Sequence, residues 1–168
     1  MPQINTEKSK HKTGFRTKDG DSWEPYTDRK MIELVTEAFM EINSRVLTNK
    51  GTLKTCNAAF AKLVGRRNFA AVWKDPGIWI SFNPNPVEGA FGITYKKDIA
   101  IYAHVFTLRE PVRWIAGTLI HELAHVNGAP GTADSKEAEA TLLSCGFDDV
   151  HNPATVGAVR RPKQVDLA

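Results

Sequence analysis

The stretch LIHELAHVNGAPG, Leu119 to Gly131, sets two histidines and a glutamate among Leu, Ile, Ala and Val. Burying such polar groups costs several kcal/mol unless each finds a partner. On a helix, residues four apart share one face about one turn apart. His121 and His125 can therefore offer two imidazole nitrogens to a single ion. Zinc takes histidine nitrogens in tetrahedral geometry and leaves a position for water. Glu122, projecting beside them, then has the place of a general base toward that water, which is the logic of an HExxH helix.

The rest of this helix supports the reading. It starts near Pro111, since proline is well tolerated in a first turn, runs to Asn127 and stops at Gly128. Trp114, Gly117, Thr118, His121, His125 and Gly128 form one stripe, with Gly117 and Thr118 expected to leave space over the ion. Val112, Ile115, Ala116, Leu119, Leu123 and Val126 form the opposite stripe. A helix apolar almost all round belongs in the interior.

Working outward, apolar residues recur at helical spacing from Asp28 to about Val46 (Met31, Leu34, Val35, Phe39, Ile42), with Asp28 as the cap. A second helix is expected from Thr52 to Leu63, ending at Gly65. The segment GIWISFNPNP reads as a short strand stopped by Asn and Pro. FGITYKKDIAIYAHVFT reads as two strand runs joined at Lys96 to Asp98, a hairpin. After the GAPGT turn, a helix from about Ala133 to Cys145 ends at Gly146. The expected architecture is α+β: N-terminal helices, a short antiparallel sheet, the HExxH helix and a closing helix.

Composition sets the limits. The 168 residues suit one domain with a real core. A hydrophobic share of 42%, a charged share of 24% and a net charge of +3 describe an ordinary globular chain without a strong nucleic-acid footprint. The start MPQINTEKSKHK carries no apolar run, so no signal peptide is expected, and no stretch reaches membrane-span length. Residues 1–25, basic through Lys8, Lys10, Lys12, Arg16 and Lys18, read as a disordered arm. Residues 26–150 form the folded domain and 151–168 an irregular tail. Without a secretion signal, Cys56 and Cys145 are expected as reduced, buried thiols.

LIHELAHV, on a buried helix after an antiparallel strand, resembles the active-site helix of zincin metallopeptidases. The resemblance implies an edge strand that binds peptide in extended form, for which Ile99–Phe106 is the candidate. It also implies a third protein ligand. The metzincin pattern HExxHxxGxxH matches at Gly128 but meets Gly131 where its third histidine belongs. The aspzincin pattern GTxxYxD is echoed only partly by GTADSKE, with Ser135 and Glu137 out of pattern. Gluzincins take a glutamate from a following helix, where this chain offers Glu137 and Glu139. Glu139 shares a face with Leu142 and Leu143, and a carboxylate on a buried face needs a cation. Glu137 aligns with Thr141 and Ser144 on the wet face. EAEATLLSCG also resembles the AEEA…CG helix of short bacterial toxin-like HExxH proteins, and aligning Cys145 and Gly146 puts Glu139 on the first glutamate of that pattern. The larger gluzincins have an aspartate four residues after the ligand, where this chain has Leu143.

The expectation is one zinc held by His121, His125 and Glu139, with Glu137, Asp134 and His151 as further candidates and Glu122 as catalytic base. His151, Tyr102, Tyr95 and His104 are candidates for stabilising the oxyanion. Function is expected to be hydrolysis of protein or peptide by a monomeric zinc metallopeptidase, either a bacterial effector or toxin exported without a signal peptide or an intracellular processing peptidase. The alternatives are a DNA-associated HExxH zinc protein, using the basic arm and Arg160–Lys163, and a zinc-binding protein without catalysis.

Overall fold

The computed structural model describes residues 1–11, 22–85, 90–131 and 135–150. The fold is α+β, with helices packed against a four-stranded sheet. Helix α1 (Arg29–Ile42) begins where the Asp28 carboxylate accepts a hydrogen bond from the Lys30 amide at 2.7 Å, and it buries Val35, Ala38, Phe39 and Ile42 along one face. One wider turn of π type, Asn43–Leu47, continues the helix to its expected end near Val46, which it buries. Helix α2 (Lys50–Lys62) is capped by Asn49, which accepts from the Gly51 and Thr52 amides, and it buries Cys56 and Phe60. A short helix α3 (Phe69–Trp73), not anticipated from sequence, is capped by Asn68 and buries Phe69, Val72 and Trp73.

Strands β1 (Gln3–Ile4), β2 (Trp79–Asn83), β3 (Gly92–Tyr95) and β4 (Asp98–Tyr102) lie in the order β1-β2-β4-β3. The hairpin expected around Lys96 is present, with Gly92 opposite Ile101 and Tyr95 opposite Asp98. The sheet as a whole is mixed rather than antiparallel. The returning arm β4 inserts between β3 and β2 and runs parallel to β2, as does β1.

The expected disordered arm is corrected at both of its described ends. Gln3 and Ile4 pair with Trp79 and Ile80, Asn5 reaches the Ser81 hydroxyl at 3.1 Å, and Tyr26 donates to the Ser81 carbonyl at 2.9 Å. Trp23 and Tyr26 are core residues. A polar segment needs few apolar anchors when a strand ladder and a satisfied polar network hold it. Lys12, Arg16, Lys18 and the tail with Arg160–Lys163 lie outside the described residues.

Helix α4 (Pro111–Val126) has Pro111 in its first turn and is followed by Gly128 at φ +89°, where L side chains are strained. It packs against α1, β3 and the closing helix α5 (Lys136–Ser144). Its end is stitched to α2: the buried Asn127 amide donates to the Phe60 and Arg67 carbonyls, each at 2.8 Å. Cys56 and Cys145 form a disulfide, with Cα atoms 4.4 Å apart and a sequence separation of 89. This corrects the expected free thiols, because packing of α2 on α5 brings the two together. Among the described residues, no helix is long and apolar enough to cross a membrane.

Candidate metal centre

Helix α4 is buried almost all round, from Ile115 to Ile120 and again from Glu122 to Ala124, so its backbone has little freedom. On that frame the Nε2 atoms of His121 and His125 face each other at 3.2 Å. The other nitrogen of each ring is engaged elsewhere. His125 Nδ1 lies 3.1 Å from the carbonyl of Ala129, and His121 Nδ1 lies 3.0 Å from Oε1 of Glu139. A carbonyl oxygen only accepts, so His125 Nδ1 carries the proton and its Nε2 is a bare lone pair. His121 donates through Nδ1 to a carboxylate in the same way. With both rings neutral in these tautomers the two Nε2 atoms would both be acceptors, so the 3.2 Å contact suits either a proton on one ring, donated to the other, or a metal ion between them.

The spacing tests which ion fits. Tetrahedral zinc bound to two imidazoles at its usual bond length separates the nitrogens by about 3.3 Å. The acceptors on both Nδ1 atoms are the outer partners that fix tautomer and ring orientation in metal-binding histidines. Burial on its own would lower the pKa of His121. The Glu139 hydrogen bond and the charges of Glu122 and Glu139 outweigh burial and raise it. The electrostatics at this nitrogen therefore favour positive charge.

Glu122 is 5% exposed and is held from the sheet side. Thr94, on β3, donates its hydroxyl to Glu122 Oε2 at 2.7 Å. Gly92 lies so close to α4 that a Cβ there would sit 2.8 Å from Thr118 Cγ2 and 2.9 Å from Glu122 Cγ. The absence of a side chain at Gly92 is what lets the strand approach the helix. Sequence reasoning missed Gly92, Thr94 and the Ala129 carbonyl. A glycine opening a strand next to an HExxH helix was the only available signal.

The remaining expected site residues fall as follows. Glu137 is exposed, while Glu139 is half-buried against His121. Glu139 meets the nitrogen that faces away from His125. Accordingly, among the described residues no three His, Cys, Asp or Glu side chains are arranged around one ion. The space expected over Gly117 and Thr118 is filled by Val150 and by β3, since a Cβ at Gly117 would lie 2.5 Å from Val150 Cγ2. Ile99–Phe106 is not an edge strand. Its first part is the interior strand β4, and Ala103–Thr107 is a 3-10 turn. The strand beside α4 at the sheet edge is β3.

Tyr102 is buried in β4, and Tyr95 stands at the hairpin edge-on to Trp23. His104 packs between Phe91 and Tyr102, and Phe91 contacts Trp114, about two helical turns before Glu122. Burial lowers the His104 pKa. Asp134 and His151 lie outside the described residues. The chain matches no protein-family profile, no curated protein and no solved structure.

Proposed function

We propose that this chain is a zinc-dependent peptidase of zincin type. The observation that carries the reading is the approach of the His121 and His125 Nε2 atoms to 3.2 Å, with both Nδ1 atoms set against acceptors. His121 and His125 would hold the metal, with Nε2 the ring nitrogen left free for it in each. Glu139 is the proposed third ligand on the sequence pattern; in the structure its carboxylate meets His121 at Nδ1, and ligation would require it to leave that contact for the Nε2 side. Its contact with Nδ1 favours a second role, orientation of His121, which the Glu139 variant in the Discussion separates from ligation. Zinc bound there supplies Lewis-acid activation of water and of the substrate carbonyl.

The protein's own groups do the rest. Thr94 occupies Glu122 Oε2, so Oε1 is the oxygen we assign to proton transfer, first from the attacking water and then to the leaving amine. The edge strand β3 presents an extended backbone to the peptide. The Phe91 carbonyl accepts from the Tyr102 amide, so by ladder alternation the peptide groups of Gly92 and Thr94 point away from β4. A peptide added as a further strand would bond there, beside the base.

Glu122→Gln keeps shape but accepts no proton. In a digest of a broad peptide library it should lose about 10²–10⁴-fold or more of the hydrolysis while zinc content stays at the wild-type level. If Glu122→Gln cleaves like wild type, water attack is not run from this helix and the peptidase reading falls.

A further inference from the structure

Of the two helices that carry the proposed metal centre, α4 is built into the core, while the shorter α5 packs on α4 and α2 and is also tied to α2 by a disulfide. Helix α5 carries Glu139 but is only nine residues long, and it buries only Ala138, Thr141 and Leu142. Isolated helices of that length are marginal in water. Ser135, at its start, makes no side-chain capping bond. Its end is fixed by Cys145, fully buried and disulfide-bonded to Cys56 in the middle of α2, and by the Thr55 hydroxyl on the Ser144 carbonyl at 2.8 Å. Beyond it, Asp149 pairs with Arg113 and Arg45, which anchors the following segment rather than α5 itself.

We propose that the Cys56–Cys145 disulfide is a redox control on the metal centre: oxidised, it docks α5 and holds Glu139 at His121; reduced, it lets α5 undock and metal affinity falls. This rests on the metal-centre reading above. The chemistry is thiol exchange reached through local opening of α5, since both cysteines are fully buried. Two equivalents of a low-molecular-weight thiol give up two electrons and two protons, become one disulfide, and leave Cys56 and Cys145 as thiols. The apparent metal dissociation constant rises in proportion as the docked fraction of α5 falls. The centre is thus complete where thiols are oxidised and weakened in a thiol-rich compartment.

Free thiols are themselves zinc ligands, so the clean comparison is oxidised wild type against Cys56→Ala/Cys145→Ala. Zinc affinity is read by competition with a fluorescent chelator. We expect at least a tenfold rise in Kd for the double variant, and a smaller rise overturns the proposal. If oxidised wild type binds no zinc, the metal-centre reading itself fails and this inference with it. If wild type binds and the variant binds equally, only the coupling fails. Should the variant not fold, hydrogen exchange of wild type before and after reduction decides. Amides of residues 136–144 should exchange at least tenfold faster on reduction while those of α4 hold. Unchanged exchange in α5, or loss of protection in all helices together, overturns the proposal.

Discussion

Helices α4 and α5 both carry residues of the proposed metal centre, and they are held to different degrees. α4 is surrounded: it packs on α1, β3 and α5, and its end is bonded to α2 through Asn127. α5 is shorter, buries three side chains in packing on α4 and α2, and is tied at its C-terminal end by a disulfide and the Thr55 hydroxyl. The difference teaches that a paired-histidine motif draws its geometry from the core, whereas the carboxylate beside it depends on how a short element is fastened. Stability is not uniform across such a fold, and lightly packed elements open first.

The largest effect that sharpens this contrast falls on α5. Glu139→Ala should lower zinc affinity by about 10–100-fold even if Glu139 only orients His121, and by more if it ligates directly. Glu137→Ala should stay within about 0.5 kcal/mol of wild-type stability with unchanged affinity, as exposed helix positions do. Equilibrium dialysis of the two variants checks both, and equal losses would remove the distinction between the two glutamates.

On the α4 side the sensitive point is the strand, not the helix. Gly92→Ala puts a Cβ 2.8 Å from Thr118 Cγ2 and 2.9 Å from Glu122 Cγ. Overpacking of this kind costs about 1–3 kcal/mol. We expect that loss in chemical denaturation, with reduced hydrolysis and full zinc content, because the strand displaces the base while His121 and His125 stay in place. A variant as stable and active as wild type would show that β3 does not set the position of Glu122.

The smallest effect lies in the hairpin that carries β3. Asp75 bonds Lys97 at 2.9 Å and Arg67 at 3.0 Å. The Lys97 hydrogen bond leads in lowering its pKa from 3.8 to about 2, with the Gly77 amide and Arg67 adding to it against a smaller opposing effect of burial. A depressed carboxylate pKa contributes stability that is present above 3.8 and lost as pH falls toward about 2. Asp75→Asn should therefore cost about 1 kcal/mol at neutral pH, as partly exposed ion pairs do. The gap to wild type should close through that acid window, while zinc affinity at neutral pH stays unchanged. Thermal melts across the pH range read this directly.

Most of α4 was legible in the sequence because two signals coincide there, the HExxH spacing and an almost continuous apolar surface bounded by Pro111 and Gly128. On α5 the outcome was mixed. Glu139 rather than Glu137 touches His121, though at Nδ1, and the expected inward face of α5 differs from the one observed. Leu143 is 42% exposed and Thr141 is buried at 2%, so the inward face is Ala138, Thr141, Leu142 and Cys145, and Glu139 sits on its flank. A threonine that bonds its own helix, here to the Glu137 carbonyl at 2.6 Å, can be buried without penalty, and hydropathy does not show that. The parallel strand β1, the Ser81 polar network and the disulfide were not readable, since each depends on partners 55 to 89 residues away. Periodicity reports only on neighbours within a few turns.

The most direct test of the central claim is metal analysis of the purified, oxidised protein beside His121→Ala and Glu122→Gln. The account predicts one zinc per chain in wild type and in Glu122→Gln, none in His121→Ala, and a lower melting temperature for wild type after chelation, because a ligand that binds the folded state stabilises it. Wild type without stoichiometric metal, melting at the same temperature with or without chelator, would contradict it.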